Sequence, residues 1–225
     1  MARNDKYTIT AGTLTDIADA IRAKTGKSAL IDPVDMPSEI GSISGGGGGT
    51  SEYEALGKAM LAHGNADLTM PAVTTIGNSS YKPLFYNDNY ITKLTIQSGT
   101  ETIGYGAFAT MYALTEVYVP AGCSLGTNAF QSDSALTTVT LDGALCSGSR
   151  VFASCSGLRD VYMNLTYDQL RNFSTSAFSS NNSTQLNIYL AVSQSEAQNA
   201  GSPWGASNAV MHYNTTFGPD GKPVT

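Results

Sequence analysis

Charge, histidine and cysteine are all scarce in this sequence, and each scarcity removes a class of function. Only 13% of the 225 residues are charged, and 12 Lys and Arg stand against 18 Asp and Glu, for a net charge of −6 and a pI of about 4.7. Phosphate backbones and anionic membrane surfaces repel such a chain unless a basic cluster compensates, and none occurs. Neither nucleic acid nor a membrane is expected as a partner. No apolar run approaches the roughly 20 residues needed to cross a bilayer. The opening Met1-Ala-Arg-Asn-Asp-Lys6 leads into polar sequence without the apolar core of a signal peptide. Synthesis in a cytoplasm without signal-directed export is therefore expected.

The two histidines, His63 and His212, lie far apart and outside any cysteine- or carboxylate-rich spacing, so no metal and no cofactor are expected. His63 closes a predicted helix, where positive charge is mildly favoured. Cys123, Cys146 and Cys155 form no C-x-x-C pair and read as reduced, buried thiols. A nucleophile elbow is lacking. Gly26-Lys27-Ser28 has Ile21 where a phosphate-binding loop needs its first glycine. Asn87-Asp88-Asn89 is too short for a calcium loop and reads as a turn. Glu101, Glu116, Asp133 and Asp160 could pair across the fold as a glycosidase would require, but solvated charges are the simpler reading. The protein is expected not to be an enzyme.

Glycine is abundant, at 23 residues, and with many Ser, Thr and Asn beside 41% hydrophobic residues it points to short strands and many turns. The run Gly45–Gly49 marks a flexible linker over residues 45–50. Before it, Thr13 can cap a helix with Asp16 three residues on, and Leu14, Ile17, Ala18 and Ile21 share one face. Met36, Ile40 and Ile43 could line a second helical stretch. Residues 1–44 have too little apolar surface for an independent core and are expected to be a helical anchoring module that docks onto a partner. Beyond the linker, Ser51 and Glu54 make a second capping signature, and Tyr53, Leu56, Met60 and Leu61 predict a capping helix over residues 51–67.

From residue 68 to residue 190 the sequence repeats itself. Phe85, Phe108, Phe130, Phe152 and Phe178 are spaced by 23, 22, 22 and 26 residues. Leu94, Val117, Val139 and Val161 lie nine residues beyond each Phe, and Ile96, Val119, Leu141 and Met163 eleven beyond. One inserted residue brings Leu186, Ile188 and Leu190 of the fifth copy into line. Alternation of apolar and polar residues, as in Val117-Tyr118-Val119-Pro120, predicts a strand with one face in the core, stopped by proline. Such a period predicts a β-rich repeat solenoid of about five 22–26-residue repeats, each burying its apolar ridge against its neighbours. Ile103 and Leu125 lie five residues before Phe, with Phe173 in the last copy, while the fourth copy is irregular there. Residues 191–225 are expected to form a C-terminal cap and tail. Trp204 would plug the open end, Val210–Tyr213 would be a last strand, and Gly218-Pro-Asp-Gly-Lys-Pro223 would be a frayed end or a turn.

The motifs Thr102-Ile103-Gly104-x-x-Ala107-Phe108 and Leu114-x-x-Val117-x-Val119-Pro120, with Ser154-Cys155 and Leu158, resemble the BspA-like leucine-rich repeat. That resemblance implies a leucine-rich-repeat solenoid used for adhesion or protein interaction, with no catalytic residues to carry over and Cys155 at a position where the family favours cysteine. Residues 13–26, with Asp35-Met36-Pro37 and Ile40, resemble a short N-terminal module of bacteriophage tail and baseplate structural proteins. This second resemblance implies a virion location and contact with other virion proteins through residues 1–44.

The candidate binding surface is the outward face of the strands. Ten residues after each Phe stand Thr95, Tyr118, Thr140 and Tyr162, with Tyr189 in the shifted copy. Eight after stand Lys93, Glu116, Thr138 and Asp160, with Asn187. Tyrosines on a rigid platform supply contact area at low entropic cost. A host-surface glycan or protein is the expected ligand, and self-association into a homo-oligomer is expected.

Overall fold

The computed structural model of the protein describes residues 67–70, 72, 74–77, 85, 91–181 and 185–224. The chain divides into two units, Met1–Gly64 and Asn65–Thr225, and every described residue belongs to the second. The expected helical module, glycine linker, His63, the Asn87–Asn89 turn and the capping helix up to residue 66 lie outside the described residues. Asp67, expected at the end of that helix, instead opens a strand.

The apolar positions nine and eleven residues after each Phe do form strands. A seven-stranded sheet runs in the order β1 (Asp67–Met70), β3 (Lys93–Ile96), β5 (Glu116–Val119), β7 (Thr138–Asp142), β9 (Asp160–Asn164), β10 (Leu186–Leu190) and β11 (Ala209–His212). A second sheet holds β2 (Thr75–Ile76), β4 (Thr102–Ile103), β6 (Ser124–Leu125) and β8 (Leu145–Cys146). All these pairings are parallel and join one coil to the next. Leu94, Val117, Val139, Val161 and Ile188 therefore stand in one register, all buried.

The sheet is longer than the five copies counted from phenylalanine. β1 sends Leu68 and Met70 inward ahead of Phe85, and β11 adds a strand after the last copy. The irregular fourth copy is also explained: Cys146, six residues before Phe152, sits opposite Leu125 and is fully buried. Extra length between Phe152 and Phe178 accommodates helix α1 (Tyr167–Leu170), started by a capping box in which Gln169 N donates to the Thr166 hydroxyl. A second short helix, α2 (Gln194–Asn199), starts in the same way at Ser193.

From Phe108 onward, each ring enters the core from a turn whose backbone also pairs with the next coil. Phe108 N donates to Ala129 O at 2.9 Å, Phe130 N to Val151 O at 2.9 Å, and Phe152 N to Ala177 O at 2.8 Å. The residue two positions after Phe108, Phe130, Phe152 and Phe178 is left-handed, with φ of 65° at Thr110, 65° at Ser132, 61° at Ser154 and 64° at Ser180. Small polar side chains tolerate the turn there without filling the core. The rings stack into one column, with centroids 5.2 Å apart for Phe85–Phe108, 5.4 Å for Phe108–Phe130, 5.3 Å for Phe130–Phe152 and 5.7 Å for Phe152–Phe178. At the C-terminal end Trp204 takes the next rung, its carbonyl accepting from Phe178 N and its indole packing edge-on against Phe173 at 5.6 Å. It is completely buried, as an end plug must be.

Coils approach closely beside the second sheet. A Cβ added at Gly148 would lie 2.1 Å from Thr127 N and 2.2 Å from Gly126 C, so no other residue fits that rung.

Candidate functional site

Alternation along the strands leaves two columns of side chains on the outer face of the long sheet. Register places Asp67, Lys93, Glu116, Thr138, Asp160 and Asn187 in one. Thr69, Thr95, Tyr118, Thr140, Tyr162, Tyr189 and His212 form the other. All ten residues expected on the surface thus belong to one ladder face, with rungs about 4.8 Å apart. His212 extends it by a rung, a member that counting from phenylalanine could not reach because no Phe precedes β11.

The two columns differ along their length. Lys93 and Thr95 are exposed. Glu116 is drawn between Lys93 at 3.8 Å and Lys222 at 2.6 Å. Tyr118 donates its hydroxyl to Asp142 Oδ2 at 3.0 Å, and Asn164 Nδ2 donates to Asp142 Oδ1 at 2.7 Å. Partial burial, followed by the adjacent Asp142 carboxylate, pushes the Tyr118 phenol up to about 12 and keeps it a donor. Partial burial also raises Tyr162, with the Asp160 charge adding to it. Asn187 Nδ2 donates to Asp160 Oδ1 at 3.1 Å.

Thr140 departs from the expectation. The alternation predicts it outward and accessible, yet it is 1% exposed and its Oγ1 is enclosed with no hydrogen-bond partner. The cause lies far along the chain. Residues 217–223 form a hairpin that lies on this face, bringing Gly221 so close that an added Cβ would be 2.7 Å from Thr140 Cγ2. Of the two readings of that segment, frayed end or turn, the turn is what forms.

Beyond the covered rung the aromatic column is continuous. Tyr162 and Tyr189 have centroids 5.1 Å apart at 51°, and Tyr189 and His212 are 4.3 Å apart at 10°. Tyr189 and His212 stack face to face along the ladder, so they turn edges outward. A sugar ring, which packs its C–H face on an aromatic face, finds no such platform on the facing surfaces of these two rings, whereas edges and hydroxyls suit a polypeptide.

The carboxylates considered for hydrolysis do not behave as a solvated set. Asp133, expected with them as a solvated charge, is completely buried, its Oδ1 accepting from Met111 N at 2.7 Å. Burial pushes its carboxyl up to about 9 against the pull of the Met111 and Thr110 N–H groups, so it is a neutral acid at pH 7. Its position, three residues after Phe, is a core column: Cys155 Sγ donates to Phe130 O at 3.1 Å and Asn181 Nδ2 to Phe152 O at 2.8 Å. Glu116 is held by lysines and Asp160 by an amide, while Glu101 is exposed. The three cysteines are free and buried, and burial drives all their thiols upward, leaving them unreactive. Among the described residues no group of three or more His, Cys, Asp or Glu could hold a metal ion. No helix there is long and apolar enough to cross a membrane.

Stacked parallel coils with a buried phenylalanine column and one ladder face turned outward define a leucine-rich-type solenoid, a fold used as a binding scaffold. The chain belongs to the BspA type leucine-rich repeat family, whose model matches residues 68–198 in six copies, one more than the phenylalanine count. Three solved structures are similar to the chain. A leucine-rich repeat protein of T. pallidum, TpLRR, is 18% identical with a TM-score of 0.47, over 66% of this chain and 69% of that one. The pneumococcal vaccine antigen PcpA is 16% identical with a TM-score of 0.44, over 66% of this chain and 41% of that one. A leucine-rich repeat protein from Bacteroides ovatus is 17% identical with a TM-score of 0.28, over 52% and 43%. No curated protein matches the chain.

Proposed function

We propose that this is a non-enzymatic bacteriophage virion protein, part of a tail fibre, baseplate or related appendage. Its solenoid displays the outer strand face to a protein or glycan of the host surface. The observation that carries the binding role is the ladder face that runs from Lys93 and Thr95, past the rung covered at Thr140, through Tyr162 and Tyr189 to His212. The virion role is supported by the resemblance of residues 13–26, 35–37 and 40 to a phage tail module. In this reading residues 1–44 anchor the protein to other virion proteins, and the host cytoplasm is only its place of synthesis.

A second reading, a decoration or assembly protein whose repeats contact other virion proteins, is favoured by one feature. The facing surfaces of Tyr189 and His212 cover each other, which suits a protein ligand better than a sugar. Negative-stain imaging of purified virions carrying a tagged copy tests both. Label at the tips of fibres or the baseplate supports the first reading, label along the capsid or tail supports the second, and its absence from particles overturns both. A hydrolase screen on cell-wall glycans tests the enzymatic alternative, for which no product is expected.

A further inference from the structure

The segment covering Thr140 is itself a built hairpin. Phe217 bridges Pro223, Gly218 N donates to Lys222 O at 2.8 Å, Gly221 N to Gly218 O at 3.0 Å, and Lys222 N to Asp220 Oδ1 at 3.1 Å. It meets the strand face in two ways. Gly221, at φ +70°, lies against Thr140 and Asp142, where an added Cβ would come within 2.7 Å of Thr140 Cγ2 and 3.1 Å of Asp142 Cβ. Lys222 Nζ donates to Glu116 Oε1 at 2.6 Å across 106 residues of sequence, and this bond raises the ammonium's affinity for its proton.

We propose that the outer strand face is a receptor for a polypeptide turn bearing a glycine followed by a lysine, and that residues 217–223 are its resident intramolecular ligand. The proposal rests on the reading of this face as a binding surface and names the chemistry of its partner. Charge favours a cationic ligand, because among the described residues Asp67, Glu116, Asp142 and Asp160 share the face with Lys93 and the hairpin's own lysine. Close approach demands glycine at the contact. The cover is also poorly matched to what it covers: it leaves Thr140 Oγ1 enclosed without a partner, and its ion pair joins two partly exposed side chains. A partner presenting the same turn, with further contacts to Tyr162 and Tyr189, can displace it.

The test uses the full-length chain and a fluorescent peptide of the sequence of residues 215–225, Thr-Thr-Phe-Gly-Pro-Asp-Gly-Lys-Pro-Val-Thr. Binding is followed by anisotropy. Wild type is expected to bind weakly, because the tethered hairpin competes at an effective concentration of about millimolar. Gly221→Val, which clashes with Thr140 and Asp142, should bind at least about tenfold more tightly, as should Lys222→Glu, which opposes Glu116 with like charge. Adding Glu116→Gln to either, or replacing the peptide's lysine by methionine, should return binding to the wild-type level. Equal binding by wild type and both opened variants, or tight binding indifferent to Glu116 and to the peptide's lysine, would overturn the proposal. If the peptide fails while Tyr162→Ser with Tyr189→Ser still abolishes host or virion-protein binding, this inference falls and the binding-face reading stands.

Discussion

Replacing Phe130 with alanine probes the solenoid where it has least freedom to adapt. The ring is fully buried between Phe108 at 5.4 Å and Phe152 at 5.3 Å. Burying a phenylalanine contributes about 1.5–3 kcal/mol. Each aromatic pair adds about 0.5–1.5 kcal/mol, and truncation removes two of them here. Neighbouring rings cannot collapse into the gap, because Phe108 N and Phe152 N are bonded to Ala129 O and Ala177 O on adjacent coils. The loss should therefore fall in the upper part of the range for Phe→Ala, about 3–5 kcal/mol. Urea denaturation followed by circular dichroism measures it directly. Phe130→Leu, which refills part of the space, should lose only about 1–2 kcal/mol. A loss below about 1 kcal/mol for Phe130→Ala would refute the column as the core of the fold.

Three further outcomes follow from single residues. Gly148→Ala should lower the melting temperature more than a surface substitution can, costing at least about 1–3 kcal/mol, because its Cβ would fall 2.1 Å from Thr127 N; an unchanged melting curve would contradict that coil spacing. Trp204→Ala should cost about 3–5 kcal/mol, and as the sole tryptophan its native emission should be blue-shifted and shielded from acrylamide; ready quenching in the folded protein would show an open end. Asp133 has its carboxyl raised in the fold from 3.8 to about 9, so the stability it contributes is fully present below pH 4 and is lost as pH rises toward 9. The advantage of Asp133→Asn over wild type should accordingly grow between urea melts at pH 5 and pH 8, and a gap independent of pH would count against a buried neutral acid.

Local repetition was legible in the sequence because the solenoid forces each copy to repeat the same contacts. The Phe spacing revealed the column, and the positions nine and eleven residues later revealed the inward strand residues, down to the inserted residue before Leu186, Ile188 and Leu190. β1, with no phenylalanine ahead of it, escaped the repeat count, whereas the expected last strand over Val210–Tyr213 forms as β11, following Trp204 in place of a phenylalanine. Asp133 was misread although a signal existed. It stands in the same column as Met111, Cys155 and Asn181, so the reasoning that buried Cys155 buries it as well. Thr140 could not have been read from its own surroundings, since the hairpin that covers it lies beyond the repeats and obeys no period. Its Gly221 and Lys222 gain meaning only once Thr140 and Glu116 are placed beneath them.

The outer strand face is the proposed binding surface, and a comparison of two tyrosine pairs separates it from the turns. Tyr162 and Tyr189 lie on adjacent rungs of that face, whereas Tyr105 and Tyr112, 54% and 52% exposed, lie on the turns around Phe108, outside the long sheet. Adsorption of the labelled full-length protein to host cells, or its retention by purified virion proteins, would be measured for each double serine variant. Tyr162→Ser with Tyr189→Ser should abolish binding and leave a folded protein by circular dichroism, while Tyr105→Ser with Tyr112→Ser should bind as wild type does. Loss of binding in the second pair with retention in the first would place the binding surface on the turns and contradict the account.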